Sequence, residues 1–282
     1  MSTTSTNLGF RQVDVFSEVP FRGNPVAVVH GADALSQEQM QAFAAWTNLS
    51  ETTFLLHPTD PDADYRVRIF TPDEELPFAG HPTLGSAHAW LEAGGVPRGE
   101  RLVQQCEVGL VPVRRGRQLA FAAPPLRRSG PVTAAERAGV LRALRLEEDQ
   151  VLAVEWVDNG PGWVGVRLTD ARSVLDVRPD PEALGDWRIG LVGEHGTGHE
   201  CAVEVRAFMG TPQGIVEDPV TGSLNASLAQ WLIGAGALPN SYVAAQGTAL
   251  GRRGRVHVQS VDGEVWIGGA TVTRVRGVVS PA

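Results

Sequence analysis

Three short segments of the chain carry side chains that could move a proton or hold an anion. Glu51 stands directly before the apolar run 52–56, His81 stands between Gly80 and Pro82, and Asp218 lies in the segment EDPVTGS. Carboxylates and a neutral imidazole are common general acids and bases near neutral pH. Each segment could instead have a purely structural role. The helices and strands predicted around it bear on whether the structural or the chemical interpretation applies.

The segment EDPVTGS, residues 217–223, has the pattern of a helix beginning. Proline is favoured in the first turn of a helix, and acidic residues before it complement the positive end of the helix dipole. One interpretation is therefore a well-formed helix N-terminus and nothing more. The other is that free N–H groups around Gly222 and Ser223 bind a substrate carboxylate, with Asp218 beside it as a proton-transfer group.

His81 and Glu51 leave a similar choice open. A histidine at a helix start is commonly a capping or packing residue, but the positive end of the dipole predicts a neutral ring that can donate or accept a proton. A glutamate before an apolar strand is commonly just solvated. Because Glu51 stands between a predicted helix that ends near Asn48 and a predicted strand over 52–56, it could instead be aimed into a cleft as a general base.

The region around His81 occurs twice. Residues 66–94 and 205–236 share motifs in the same order, at an offset of about 140 residues. The matched motifs are Arg68-x-Phe70 with Arg206-x-Phe208, Thr71-Pro72 with Thr211-Pro212, and Trp90-Leu91 with Trp231-Leu232. Each half also opens with a predicted hairpin, over 13–29 and 154–168. The pattern predicts a duplicated α+β domain in which each half has a helix that begins on a glycine-containing turn.

Composition excludes several classes of function. All 24 basic residues are arginine, so a Schiff-base lysine and a P-loop lysine are both excluded. The net charge of −8 predicts no partner among nucleic acids or anionic membrane surfaces. No apolar run approaches the ~20 residues of a membrane span, and residues 1–12 lack the apolar core of a signal peptide, so we expect a cytoplasmic protein.

Neither the cysteines nor the histidines have the spacing of a metal site. Cys106 and Cys201 predict neither a disulfide framework nor a zinc site. His195 and His199 are four residues apart, but the Gly-Thr-Gly between them argues against a helical ligand pair. We therefore expect no metal.

Three separated motifs resemble those of the PhzF family, the phenazine-biosynthesis-type isomerases. The motifs are NLSET at 48–52, FAGHPTLG at 78–85 and EDPVTGS at 217–223, and the resemblance runs from residue 13 to Gly268-Gly269. It implies a diaminopimelate epimerase-like fold, an α+β fold of two pseudo-symmetric halves, each a sheet wrapped around a central helix. We expect an N-terminal half over 1–130 and a C-terminal half over 131–282, with terminal strands that can exchange between the halves.

The resemblance also implies roles for individual residues. In the PhzF family the active site lies in a cleft between the halves and uses neither cofactor nor metal. Glu51 would remove a proton from carbon and return it elsewhere on the conjugated system, with His81 and Asp218 as further catalytic residues. The residues implied in substrate binding are Ser50, Gly80, Gly222 and Ser223. The family also implies a homodimer.

The leading hypothesis is a cofactor-independent isomerase that shifts a proton on a small, anionic, unsaturated amino or carboxylic acid. Phenazine or other antibiotic precursors fit this description, and so does double-bond migration in an alkylproline-type precursor of secondary metabolism. A non-catalytic ligand-binding or interaction protein of the same fold is one alternative. An epimerase with carboxylate bases is another, whereas a two-thiol racemase is disfavoured because neither repeated turn contains cysteine.

Overall fold

The computed structural model describes residues 7–211 and 214–280 of the 282-residue chain. The chain divides into two compact units, one of Met1–Ala122 with Gly268–Ala282 and one of Ala123–Ile267. Within the described ranges, no helix combines the length and the apolar character needed to cross a bilayer.

The first unit is a set of strands around one buried helix. Its elements in chain order are β1 (Leu8–Val15), β2 (Asn24–Val29), α1 (Gln37–Thr47), β3 (Glu51–Leu56), β4 (Tyr65–Phe70), β5 (Glu75–Leu76), α2 (Gly80–Glu92), β6 (Leu102–Cys106), β7 (Gly109–Arg114) and β8 (Leu119–Ala122). β2 is antiparallel to β1 and parallel to β3, and β4 is antiparallel to β3 and β5 and parallel to β6. β6, β7 and β8 continue as antiparallel neighbours. Parallel strands must be joined by a crossover, which is usually helical, and the crossover between β2 and β3 contains α1.

The elements that follow repeat this order of pairings. They are β9 (Arg128–Pro131), α3 (Ala134–Leu144), β10 (Val151–Asp158), β11 (Trp163–Leu168), α4 (Ala171–Asp176), α5 (Pro181–Leu184), β12 (Arg188–Glu194), β13 (Val203–Thr211), β14 (Gly214–Asp218), α6 (Gly222–Gly234), β15 (Ser241–Gln246), β16 (Gly254–Val261) and β17 (Glu264–Gly269). β11 is antiparallel to β10 and parallel to β12, and β13 is antiparallel to β12 and β14 and parallel to β15. The duplicated α+β fold predicted from the sequence repeat is confirmed.

The ends of the two units differ from the predicted halves. The last strand, β18 (Thr271–Val279), pairs antiparallel with β1 from Leu8↔Val279 to Val15↔Thr271, so the C-terminal residues belong to the first unit. The boundary predicted at residue 130 falls inside β9, which pairs with β10. The second unit therefore begins earlier, at Ala123, because backbone pairing and not side-chain pattern decides where it starts.

Each unit surrounds one central helix of 13 residues, α2 or α6, and most residues of both helices are buried. A helix that is buried on nearly all sides belongs to a core. Close packing depends on glycine in both units. A Cβ on Gly85 of α2 would lie 2.3 Å from Val26 Cγ1 of β2, and a Cβ on Gly190 of β12 would lie 2.2 Å from Leu224 Cδ1 of α6.

The repeated Arg-x-Phe motif makes the same contacts in both units. Arg68 Nε donates to Glu75 at 2.6 Å, and Arg206 forms two bonds to Glu217, at 2.9 and 2.8 Å. Each guanidinium also lies over the phenylalanine two residues later, 5.1 and 4.6 Å from the ring centroid. Such pairs tie the short strand before each central helix to the sheet. Pro212 of the repeat lies outside the described residues.

Candidate functional site

Glu51 is the first residue of β3, directly after the connection from α1. That helix ends at Asn48, which takes the left-handed conformation with φ 55. Glu51 pairs with Val26 in the parallel ladder between β2 and β3. The side chain is 16% exposed, so its carboxylate is largely shielded from water. The residue itself stands between the end of α1 and the rest of β3, which fix its position.

His81 is the second residue of α2, and its ring is neutral. The residue is 3% exposed, and this burial lowers its pKa to about 3, with a smaller opposing effect from the Pro25 carbonyl. Nε2 lies 3.3 Å from Glu51 Oε2, and Nδ1 lies 3.3 Å from Asn24 Nδ2. Because the imidazole is uncharged near pH 7, its contact with Glu51 is not an ion pair. A neutral imidazole can act towards the carboxylate as a hydrogen-bond donor, without giving up its proton.

The starts of α2 and α6 differ from those of the other described α-helices. The side chains that cap α1, α3, α4 and α5 belong to Ser36, Thr133, Asp170 and Asp180. Ala79 and Thr221 stand at the caps of α2 and α6, and neither makes a side-chain cap bond. The first N–H groups of these two helices therefore receive no bond from a capping side chain. This favours the anion-binding interpretation of Gly80, Gly222 and Ser223.

Asp218 ends β14, and a buried network fixes the turn after it. Thr221 Oγ1 donates to Asp218 Oδ2 at 2.6 Å, so the threonine holds the carboxylate instead of capping α6. Gln246 at the end of β15 is fully buried, and its Oε1 accepts from the Thr221 N–H at 3.0 Å. Its Nε2 donates to the Asp218 carbonyl at 3.1 Å and to Thr221 Oγ1 at 2.9 Å. The Asp218 carboxylate is thereby given one preferred orientation.

Ser223 is the second residue of α6, and Trp163 directs its hydroxyl group. The indole Nε1 donates to Ser223 Oγ at 3.1 Å. An indole N–H can only donate, so the hydroxyl accepts in this contact and keeps its own proton for another acceptor. Asn159, in the turn between β10 and β11, donates through Nδ2 to the Ser223 carbonyl at 2.9 Å.

The structure brings Glu51 and His81 together in the first unit, and it places Asp218, Gly222 and Ser223 around one helix start in the second. Ser50 is exposed, immediately before β3. Sequence reasoning missed four side chains that contact these residues, namely Asn24, Asn159, Trp163 and Gln246. Asn24 and Asn159 each belong to the first hairpin turn of their half, and this recurrence is a signal that the sequence did contain.

Neither cysteine belongs to the start of α2 or of α6. Cys106 is buried at the end of β6 and Cys201 just before β13, and burial raises the pKa of both thiols. Buried thiols of this kind are poor bases at neutral pH. Among the described residues, no group of three or more His, Cys, Asp or Glu side chains is placed to hold a metal ion.

Comparison with known proteins identifies the family of this chain. The PhzC-PhzF family model, described as phenazine biosynthesis-like protein, matches residues 13–277. The chain belongs to the PhzC-PhzF family. The trans-2,3-dihydro-3-hydroxyanthranilate isomerase of Pseudomonas aeruginosa is 36% identical over 255 residues, covering 88% of each chain. Antisense-enhancing sequence 1 of Schizosaccharomyces pombe is 36% identical over 296 aligned residues, covering 96% of this chain and 98% of the relative.

Solved structures of this family share the fold. A PhzF-family protein of Enterococcus faecalis superposes with a TM-score of 0.79 at 25% identity, covering 97% of this chain and 99% of that one. A hydroxyproline epimerase from Agrobacterium vitis superposes with a TM-score of 0.60 at 13% identity, covering 99% of this chain and 94% of that one. The second likeness is one of fold alone. Both the family and the epimerase-like fold predicted from the sequence are confirmed.

Proposed function

We propose that this protein is a cofactor-independent isomerase that moves a proton along a small unsaturated amino or carboxylic acid. The observation that carries the proposal is the contact of Glu51 with a neutral His81, 3.3 Å apart, on two rigid elements of one unit. Family membership and the 36% identical relative that is named an isomerase support it. Phenazine-type and alkylproline-type precursors of secondary metabolism are the substrate classes to test first.

The proposed reaction is redox-neutral. Glu51 takes a proton from a carbon next to the double bond, and the electron pair of that C–H bond becomes the shifted double bond. The carbon at the far end of the conjugated system then takes the proton back from Glu51. The neutral imidazole of His81 can donate a hydrogen bond to the carboxylate between these steps. General acid–base catalysis of this kind contributes roughly 10²- to 10⁴-fold.

In this proposal the start of α6, within the second unit, is a carboxylate-binding site. The uncapped start of α6 presents the N–H groups of Gly222 and Ser223 at the positive end of the helix dipole. The Ser223 hydroxyl, directed by Trp163, is a further donor. Asp218, held by Thr221, would be a proton-transfer group beside that carboxylate.

The test is NMR spectroscopy in D₂O with trans-2,3-dihydro-3-hydroxyanthranilate and an unsaturated alkylproline-type acid. We expect deuterium at one carbon of the true substrate together with a shifted double bond, and loss of both in Glu51→Ala. Glu107→Ala is the matched control, because Glu107 is exposed in the turn between β6 and β7. This variant should exchange as the wild type does.

The same experiment separates the alternatives. Exchange at a stereocentre without movement of a double bond would indicate an epimerase with carboxylate bases. Thermal stabilisation by the acids with no exchange at all would indicate a binding protein. Exchange that survives in Glu51→Ala would remove Glu51 from the assigned role.

A further inference from the structure

A cavity of about 610 Å³ lies in the first unit, beside the last turns of α2. Its walls come from that part of α2, from the turn 115–118 between β7 and β8, and from the start of β18, all within the first unit. The first α2 residue that lines it is His88, which lies two helical turns, or about 10 Å, beyond His81. The cavity is therefore distinct from the contact between Glu51 and His81.

The size and the lining of the cavity suit a small organic molecule. Ligand pockets in proteins commonly measure about 300–1,000 Å³ and combine apolar walls with a few polar groups. The apolar part of this wall consists of Leu91 on α2, Leu119 on β8, Ala270 just before β18 and Val272 on β18. The polar part therefore decides which class of molecule the cavity can hold.

Two arginines separated by one glycine, Arg115 and Arg117, line the cavity from the turn between β7 and β8, and both are exposed. Arg115 donates to the backbone carbonyls of Gly99 and Glu100, at 3.2 and 3.4 Å, and these neutral acceptors leave its charge uncompensated. Over residues 7–211 and 214–280, no ion pair joins either guanidinium to a carboxylate. The turn thus places two uncompensated positive charges side by side on a protein whose net charge is −8.

The carboxylates that line the cavity lie beside further arginines. Glu92 accepts from Arg11 Nε at 2.6 Å and also pairs with Arg276. Glu18 is exposed on the loop after β1, and Arg274 donates to its backbone carbonyl at 3.1 Å. Guanidinium groups therefore outnumber carboxylates around the cavity, and its surroundings are net positive.

His88 contributes a neutral wall. Burial lowers the pKa of His88, so its ring carries no charge near pH 7. Nδ1 and Nε2 lie 3.0 and 3.1 Å from the hydroxyl groups of Thr271 and Thr273. Both ring nitrogens are thereby used within the fold, and the arginines are the groups that can select a ligand by its charge.

We propose that this cavity is a second binding site, which takes an organic phosphate with its phosphoryl group on Arg115 and Arg117 and its carbon body against the apolar wall. A phosphate monoester carries about two negative charges near pH 7 and three acceptor oxygen atoms. Two guanidinium groups match both the charge and the oxygen atoms of such a group. A carboxylate has one charge and two oxygen atoms, which a single guanidinium satisfies. The site does not depend on the proposed isomerase chemistry.

Phenyl phosphate, benzoate and inorganic phosphate are the probes that test the proposal. Benzoate shares the ring of phenyl phosphate but carries a carboxylate, and inorganic phosphate has the charge without the carbon body. Their dissociation constants are measured near pH 7 by isothermal titration calorimetry on the wild-type protein, Arg117→Gln and Arg142→Gln. Arg142 is the matched control, because it is an exposed arginine on α3 that likewise forms no ion pair in the described part of the chain.

Arg117→Gln is expected to weaken the binding of phenyl phosphate at least about fivefold, and Arg142→Gln should leave it within about twofold of the wild type. Inorganic phosphate should bind the wild type at least about tenfold more weakly than phenyl phosphate, because it leaves the apolar wall uncovered. Any binding of benzoate, which the start of α6 could also take, should not change in Arg117→Gln.

Four results would overturn the proposal. The first is no binding of phenyl phosphate to the wild type, and the second is binding that Arg117→Gln leaves unchanged, which would place the ligand elsewhere. Equal weakening in Arg117→Gln and Arg142→Gln would indicate general attraction by charge and no site. Weakening of benzoate to the same extent as phenyl phosphate in Arg117→Gln would show that the arginines do not select a phosphoryl group.

Discussion

Replacing His81 with asparagine should remove part of the protein's sensitivity to acid. His81 is 3% exposed, and burial lowers its pKa to about 3, whereas histidine in an unfolded chain has a pKa of about 6.5. Between these two values the unfolded state binds a proton that the folded state does not. The free energy of unfolding therefore falls as the pH falls below about 6.5, and the loss stops growing below the folded-state pKa.

The magnitude follows from this linkage. A pH change of one unit within the window costs about 1.4 kcal/mol per histidine, so going from pH 7 to pH 5 costs about 2 kcal/mol through His81. This value hardly changes while the folded-state pKa stays below about 4. His30 also lowers the free energy of unfolding as the pH falls, because burial and the nearby Arg11 lower its pKa to about 4. The wild type should accordingly lose more stability than His81 explains.

Urea denaturation followed by tryptophan fluorescence at pH 7, 6 and 5 measures the effect. The loss of unfolding free energy between pH 7 and pH 5 should be about 2 kcal/mol smaller in His81→Asn than in the wild type. His57→Asn is the control, because the His57 side chain is 90% exposed, and it should not reduce the loss. If His81→Asn loses as much unfolding free energy between pH 7 and pH 5 as the wild type does, His81 takes up a proton in the folded protein. The conclusion that its ring is neutral beside Glu51 would then be wrong.

Three further predictions concern residues on α2, β13 and β15 and are also tested by urea denaturation. Gly85→Ala should lower the free energy of unfolding by about 1–3 kcal/mol, because its Cβ would be overpacked against β2. Gly99→Ala should not, since no atom lies within 4 Å of its Cβ. Equal losses in the two variants would contradict the close packing of Gly85. Arg206→Ala should cost about 3–5 kcal/mol, because its side chain is 5% exposed and paired. The Arg172 side chain is 87% exposed, so Arg172→Ala should change the free energy of unfolding by no more than about 0.5 kcal/mol. Equal losses of stability in Arg206→Ala and Arg172→Ala would refute the role given to the buried pair. Gln246→Leu should cost about 1–3 kcal/mol by leaving the Thr221 N–H without its acceptor and should lower kcat more than it raises KM; unchanged stability would refute that network.

The fold could be predicted because the sequence keeps its repeated motifs. Arg68 and Arg206 are recognisable as a repeat because each donates hydrogen bonds to a glutamate on the short strand that follows. The limits of the units could not be predicted in this way. Strand β9, with the sequence RSGP, has no alternating apolar pattern and is exposed or half-buried throughout. It is a strand because β10 offers it backbone partners, which only the folded chain reveals.

The residues of the candidate site could be picked out from the sequence where they lie in continuous motifs. Glu51, His81 and Asp218 each stand in such a motif, and a neutral His81 was expected from the helix dipole, although burial is the larger cause in the structure. Asn159 and Gln246 act through contacts with residues 64 and 25 positions away in the chain. No local pattern marks a contact of that kind.

The central claim is that the Glu51 carboxylate transfers the proton. Glutamine has the same shape as glutamate but is not a base, so Glu51→Gln separates proton transfer from folding and binding. With a substrate identified by deuterium uptake, this variant should turn over at least about 100-fold more slowly than the wild type, while binding that substrate with unchanged affinity and unfolding at a similar temperature. Turnover within about tenfold of the wild type would contradict the claim.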